Sequence, residues 1–325
     1  MRIGILGCGA LGLLWGARML KAGHETVLIT RTEKQKETLL QQGLIFTSLT
    51  KEKEQIPAQV ESIKQISRQA SFDVVFVTVK QTNLPEAIPV IQMITHPASQ
   101  ILFWQNGLGH EQQIERLQSR PWTYAAVTTE GAWKKGMNEV QHTGAGETQV
   151  GLFPRTGRDS HIHFRSFLHD LTHIPNRAAF SIQYEPHIRK RMWEKLLVNC
   201  VINPLTGLYE VKNGELLSGK YTSIMEQILK EALAVASSQG MVFAYAEMMA
   251  KIRSVCERTA DNYSSLLQDL QKGVPTEIEF INGVVVKTGR QAHVDTPVNR
   301  RLVELIRAKE ARKMATSFET EDGMV

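Results

Sequence analysis

The chain has 325 residues, 42% of them hydrophobic and 22% charged, with a net charge of +5. This is the composition of an ordinary water-soluble globular protein, long enough for about two domains. It excludes several classes: no apolar run approaches membrane-spanning length, no Lys/Arg block is interleaved with aromatics as in nucleic-acid binders, and three scattered cysteines, Cys8, Cys200 and Cys256, suit neither a disulfide framework nor a zinc site.

Ile3, Ile5 and Leu6 form a short apolar run that reads as a buried strand. It ends in Gly7-Cys8-Gly9-Ala10-Leu11-Gly12, the G-x-G-x-x-G pattern, and a helical stretch follows from Leu11 to Lys21 with Gly23 as its stop. A second strand is expected over Thr26–Thr30. Strand, glycine loop, helix, strand is the order of a dinucleotide-binding unit. Gly7 permits the tight turn, Gly9 leaves the backbone open to a pyrophosphate, and Gly12 lets helix and strand pack closely. The helix N-terminus then offers free N–H groups and positive dipole to phosphate. The same glycines interrupt any secretory h-region, so the expected compartment is the cytoplasm.

Arg31 follows the second strand. An acidic residue here would bind the ribose hydroxyl of NAD, whereas Arg accommodates a 2′-phosphate; Glu33, two residues on, keeps NAD in play, but the strand end favours NADP. Leu44–Leu49 reads as a further strand. Asp73–Val79 is nearly unbroken in apolar residues, as a parallel strand covered on both faces would be, and it runs into Lys80-Gln81-Thr82-Asn83. Lys80 thus stands at a strand's carboxyl end, where open α/β sheets bind ligands, although a solvated lysine reads the same way. Ile101–Trp104 is the next strand, ending in Gln105-Asn106-Gly107, with a helical stretch from Gly109-His110-Glu111. Strands are also expected at Tyr124–Thr129, Thr148–Phe153 and Ala179–Gln183, with a polar connection over Arg155–His163. The alternation indicates a Rossmann-type α/β domain over residues 1–185.

From residue 186 to 325 the pattern becomes helical: Ile188–Val201, Ser223–Met241, Ala246–Leu270, Thr276–Lys287 and Val298–Arg312, with a polar tail, Thr316–Val325, expected to fray. Lys195, Asn199 and Asn203 stand at i, i+4 and i+8, along one helix face over about 12 Å. Asn203 precedes Pro204, a signal for a helix end or kink. Asn199 lies among apolar neighbours, and the polar ladder points to a cleft, the alternative being a solvated face. Thr276 and Glu279 have the spacing of a capping box, which leaves Glu277 as the carboxylate without a structural task. Ser264 and Ser265 read equally as surface serines.

Taken jointly and in order, G-C-G-A-L-G, V-T-V-K at Val77–Lys80, Q-N-G at Gln105–Gly107, W-E-K-L-L-V-N-C-V-I-N-P-L-T around Lys195, and S-S-L-L-Q-D with T-E-I-E-F-I-N-G around Glu277 resemble the ketopantoate reductases (2-dehydropantoate 2-reductases) from Met1 to about Arg312. The resemblance implies NADPH-dependent reduction of ketopantoate to pantoate on the route to pantothenate and coenzyme A. It implies Lys195 as general acid with Glu277 in the same site. It further implies that Asn106, Lys195, Asn199, Asn203 and Ser265 meet the substrate, a 2-keto acid. To the cofactor contacts read from the loop and strand end, Gly7, Cys8, Gly9, Ala10, Leu11, Gly12 and Arg31, it adds Lys80 and Asn106. The chain departs from the family where Gln is often found, at Asn83, and where His is often found, in Thr128-Thr129-Glu130. A lysine ammonium suits the chemistry, because hydride delivery to a ketone builds negative charge on oxygen. No metal, nucleic acid or membrane is expected, and the chain is read as a monomer or homodimer. The alternatives are a reductase of another branched 2-keto acid, an opine-type dehydrogenase, or a non-catalytic NADPH-binding regulator.

Overall fold

The computed structural model describes residues 1–67, 70–117, 122–153 and 182–322, and in the last helix the side chains as far as residue 313. Two compact units emerge. The first comprises Met1–Gln105 and His110–Arg189; the second comprises Asn106–Gly109 and Lys190–Val325.

The first unit is built on strands β1 (Arg2–Leu6), β2 (Glu25–Thr30), β5 (Gln59–Ser62), β6 (Val74–Val77), β7 (Gln100–Phe103), β8 (Trp122–Thr128), β11 (Thr148–Leu152) and β12 (Ile182–Tyr184). They form one sheet in the order β12-β11-β8-β7-β6-β1-β2-β5. From β8 to β5 all neighbours are parallel, and β11 pairs antiparallel with β8. Parallel strands are covered on both faces, which is why Val74, Val75, Phe76 and Val77 are all buried. A second sheet, β4-β3-β10-β9, is made of β3 (Leu44–Thr47), β4 (Lys53–Ile56), β9 (Gly131–Lys134) and β10 (Glu139–Gly144). Among the described residues the unit also carries helices α1 (Ala10–Lys21), α2 (Glu33–Gln42), α3 (Leu84–Ile94) and the single turn α4 (Glu111–Ile114). Trp15 of α1 packs edge-on to Phe76 at 5.8 Å, and Trp104 packs at a tilt against both rings. The strand expected over Ala179–Gln183 appears from Ile182. The polar connection expected over Arg155–His163 lies outside the described residues.

The second unit is helical: α5 (Ile188–Tyr209, its first two residues grouped with the first unit), α6 (Thr222–Ser238), α7 (Tyr245–Arg258), α8 (Ser265–Gln271), α9 (Asn282–Gln291) and α10 (Pro297–Asp322). Five local expectations are corrected here. Helix α5 does not stop near Pro204 but continues to Tyr209. The helix expected over Ala246–Leu270 is two helices. Ala260 and Asn262 give their carbonyls to the N–H groups of Gly214 and Asn213, so a tertiary partner takes the oxygens a continuous helix would use. Ser264 then caps α8, accepting from the Leu267 N–H at 3.1 Å.

The helix expected over Thr276–Lys287 is a 3₁₀ turn, Ile278–Phe280, followed by α9. Its Thr276/Glu279 capping box does not form. Thr276 Oγ1 accepts from Ile278 N–H, the Thr276 N–H goes to Glu310 Oε1 at 2.8 Å, and Glu279 pairs with Arg307. The tail from Thr316 is helical to Asp322, in keeping with the helix-forming Ala, Lys, Glu and Arg that lead into it.

Candidate active site

The glycine loop sits between β1 and α1. Gly7 has φ +105°, and a Cβ there would lie 2.8 Å from the Val79 backbone nitrogen. A Cβ on Gly12 would lie 1.9 Å from the Gly7 carbonyl oxygen, so helix and turn approach as closely as the backbone permits. A Cβ on Gly9 would meet nothing within 4 Å. Gly9 is also the N-cap of α1, with no side chain to occupy the first N–H groups and no acidic residue in the first turn. Glycine at this position leaves open space in front of unpaired helix donors, which is what a pyrophosphate requires. Ala10 and Leu11 form the first turn of α1. Cys8 is buried, and burial pushes its thiol up to about 12, so it fills space as a neutral group.

The loop is braced by residues from three other segments. The Thr78 hydroxyl donates to the Gly7 carbonyl at 2.6 Å. Gln35 Nε2 and Lys134 Nζ both donate to the Cys8 carbonyl at 2.9 Å, and Gln35 also reaches Met137 O at 2.7 Å. Gln105 Nε2 bonds Val77 O and Val79 O, each at 3.0 Å, and so holds the end of β6. Thr78 and Gln105 lie inside motifs visible in the sequence, but their tasks were not. Gln35 and Lys134 left no sequence signal, because their acceptor is a backbone oxygen far along the chain. Arg31 is exposed at the end of β2, directly before Thr32, the N-cap of α2. Lys80 is half-buried where β6 runs into a 3₁₀ turn that leads to Asn83 at the cap of α3.

Glu130, unexplained by the sequence, has a structural task. Its carboxylate is buried and accepts from Nη1 and Nη2 of Arg18 on α1, the first at 2.8 Å, while His142 Nε2 of β10 approaches to 3.0 Å. Burial, reinforced by the Arg18 charge and opposed by Glu130, holds His142 below the ordinary histidine range. The glycine-loop helix is thereby tied to the second sheet.

The second unit holds the remaining candidates. Lys195, Asn199 and Asn203 lie on α5; Lys195 and Asn199 are half-buried and Asn203 is buried. Glu277 precedes the 3₁₀ turn and is only 8% exposed. Asn106 Nδ2 donates to Glu277 Oε2 at 3.1 Å. The loop carrying Asn106 is fixed by Gly107, at φ +81°, where a Cβ would fall 2.0 Å from Phe280 O; the next N–H, of Leu108, donates to that same oxygen. Burial lowers the Lys195 pKa to about 8, and the Glu277 carboxylate opposes that shift. A partly desolvated lysine beside a buried carboxylate retains its proton near neutrality yet releases it more readily than a surface lysine.

Lys195, Glu277 and Asn106 thus come together, with Asn199 and Asn203 along the same helix. Ser265 is exposed as the first residue of α8, whereas its neighbour Ser264 is buried with its hydroxyl 2.7 Å from that of Thr206 on α5. The array is suited to protonating an oxygen on which negative charge develops, with amide donors to orient it.

Comparison with known proteins agrees with this chemistry. Residues 3–155 match the family described as ketopantoate reductase PanE/ApbA, and residues 187–310 match its C-terminal model. A 2-dehydropantoate 2-reductase of Vibrio cholerae is 33% identical over 310 residues, covering 95% of this chain and 98% of that protein. A probable 2-dehydropantoate 2-reductase from Bacillus subtilis, of known structure, is 29% identical with a TM-score of 0.78 and covers 95% of this chain and all of that one. A D-mandelate dehydrogenase solved with NADH and anilino(oxo)acetate superposes with a TM-score of 0.88 over 96% of this chain and 99% of that one, at 23% identity.

Proposed function

The chain belongs to the ketopantoate reductase family, and from that premise we infer that it reduces 2-dehydropantoate to pantoate with NADPH, in the cytoplasm. The observation that carries the reading is the Lys195–Glu277–Asn106 constellation, because it supplies a proton donor, a carboxylate to keep it charged, and an amide to hold that carboxylate. The cofactor half is residues 1–185 and the substrate half 186–325. Gly7 to Gly12 receive the pyrophosphate on backbone N–H groups, Arg31 takes the 2′-phosphate, and Lys80 and Asn106 complete the cofactor contacts.

When bound, NADPH supplies the hydride that reaches the carbonyl carbon. Lys195 stabilises the developing alkoxide through its ammonium and gives the proton that completes the alcohol. Glu277 holds that ammonium charged against the desolvation that lowers its pKa. Asn106 donates to one oxygen of Glu277 and so orients the carboxylate. Asn199, Asn203 and Ser265 hold the substrate's carboxylate and hydroxyl groups.

The test is cofactor oxidation by the purified chain with ketopantoate and a panel of other branched 2-keto acids. The reading requires kcat/KM to be highest for ketopantoate. A higher value for another 2-keto acid moves the activity to that substrate, and no oxidation with any of them leaves a cofactor-binding protein without this reaction.

A further inference from the structure

Helix α5 carries Lys195, Asn199 and Asn203, and it contains a proline that should break it. In an α-helix the N–H of residue 204 would bond the carbonyl of residue 200. Pro204 has no N–H, and its ring pushes that carbonyl away from the helix axis. Cys200 O is therefore left without its helical donor in a fully buried place, one turn beyond Lys195 and between Asn199 and Asn203.

The missing donor comes from another helix. Asn282, the first residue of α9 and fully buried, donates from Nδ2 to Cys200 O at 2.9 Å. Its second Nδ2 hydrogen goes to Asn299 Oδ1, also at 2.9 Å. Asn299, fully buried on α10, passes the connection on: its Nδ2 donates to Glu231 Oε2 at 2.8 Å and to Ile228 O at 3.3 Å, both on α6. The Glu231 carboxylate also accepts the N–H groups of Val298 and Asn299, each at 2.9 Å, so it caps α10. One buried relay of hydrogen bonds thus joins α6, α10, α9 and α5, and it ends on the one carbonyl of α5 that Pro204 has released. Both donor hydrogens of the Asn282 amide are used.

The structure assigns Asn282 as a positioning residue for the catalytic helix: its amide replaces the proline's missing N–H at Cys200 O and so sets the register of Asn199 and Asn203 relative to Lys195. Asn282 touches neither substrate nor cofactor; it acts through α5. The arrangement also accounts for the proline. A bonded N–H at residue 204 would compete with Asn282 for Cys200 O, so Pro204 makes the helix depend on α9, which follows the segment carrying Glu277.

This inference rests on the reading of Lys195 as proton donor, and the experiment separates the two. Wild type, Asn282→Ala, Pro204→Ala and the double variant are compared as full chains, by NADPH binding followed through fluorescence and by steady-state kinetics with ketopantoate across pH. A wild type that binds NADPH but does not turn over ketopantoate defeats the proton-donor reading itself.

With an active wild type, Asn282→Ala should lower kcat roughly 10–100-fold, the scale of a small misplacement of a catalytic group. NADPH affinity should be unchanged, and the alkaline limb of the pH profile, set by Lys195, should shift. Pro204→Ala restores a backbone donor for Cys200 O, so the double variant should recover to within about threefold of Pro204→Ala, with the alkaline limb returned, because one interaction has been exchanged for its equivalent. Losses that simply multiply in the double variant overturn the assignment, as does an Asn282→Ala enzyme with unchanged kcat. If Asn282→Ala alone is insoluble, the comparison passes to the double variant: soluble and active supports the assignment, insoluble overturns it.

Discussion

Asn106 and Glu277 lie 171 residues apart in the chain and are joined by a 3.1 Å hydrogen bond from Nδ2 to Oε2. The bond fixes which way a buried carboxylate faces, and the Lys195 ammonium answers to that carboxylate electrostatically. The acidity of Lys195 therefore depends on a residue from a loop that neighbours the α/β sheet in sequence.

The first expected outcome concerns Lys195. Replacement by Ala should leave the fold intact and NADPH binding unchanged, since the glycine loop belongs to the other unit. Turnover should fall by roughly 10²–10⁴, the usual contribution of a positioned acid. Steady-state kinetics at saturating NADPH decide it: a raised KM with kcat near wild type would mean that Lys195 merely anchors substrate.

The pH profile follows from the same group. Lys195 donates only while protonated, and its pKa is drawn down from the ordinary lysine range to about 8. Reduction should therefore be steady below about pH 8 and decline above it. Glu277 opposes the lowering, so Glu277→Gln should move the alkaline limb to lower pH as well as reduce turnover. A limb that stays in place in that variant separates the carboxylate from the lysine.

The two glutamates of the Thr276–Glu279 segment should behave oppositely. Glu279 forms an exposed ion pair with Arg307, an interaction worth about 0–1 kcal/mol. Glu279→Gln should thus change neither activity nor melting temperature appreciably, whereas Glu277→Gln should cost turnover. Equal losses of turnover in the two variants would show that Glu277 has no special place.

Gly9 and Gly12 offer a contrast within one motif. A Cβ at Gly9 meets nothing and its φ of −75° suits alanine, so Gly9→Ala should melt like wild type yet bind NADPH poorly, its methyl occupying the space kept for phosphate. A Cβ at Gly12 collides with the Gly7 carbonyl, so Gly12→Ala should lower the melting temperature as well. Calorimetry alongside cofactor titration reads both. A destabilised Gly9→Ala, or one with unchanged affinity, removes the argument for open space at the loop.

Arg31 should govern cofactor choice. Arg31→Ala is expected to weaken NADPH by roughly 1.5–3 kcal/mol, the worth of a hydrogen bond to a charged group, and NADH much less. Parallel titrations suffice, and equal losses would sever Arg31 from the 2′-phosphate.

The sequence by itself determined the features that short-range physics controls. A buried parallel strand must be apolar throughout, and a turn pressed against its own helix must have glycine where the backbones meet, so β1, β6 and the glycines of the Gly7–Gly12 loop could be read directly. The spacing of Lys195, Asn199 and Asn203 is a property of one helix and was equally legible. What the sequence could not decide are the cases where a distant partner outbids a local one. Glu279 has the spacing of a capping box but faces Arg307, and Thr276 takes Glu310 in its place. Pro204 reads as a helix end, yet α5 continues because Asn282, far along the chain, supplies a donor to Cys200 O. Glu130 had no legible role until Arg18 and His142 closed around it. Local patterns fix which bonds a segment can make; only the folded chain, by burying some groups and bringing others within 3 Å, decides which of them are made.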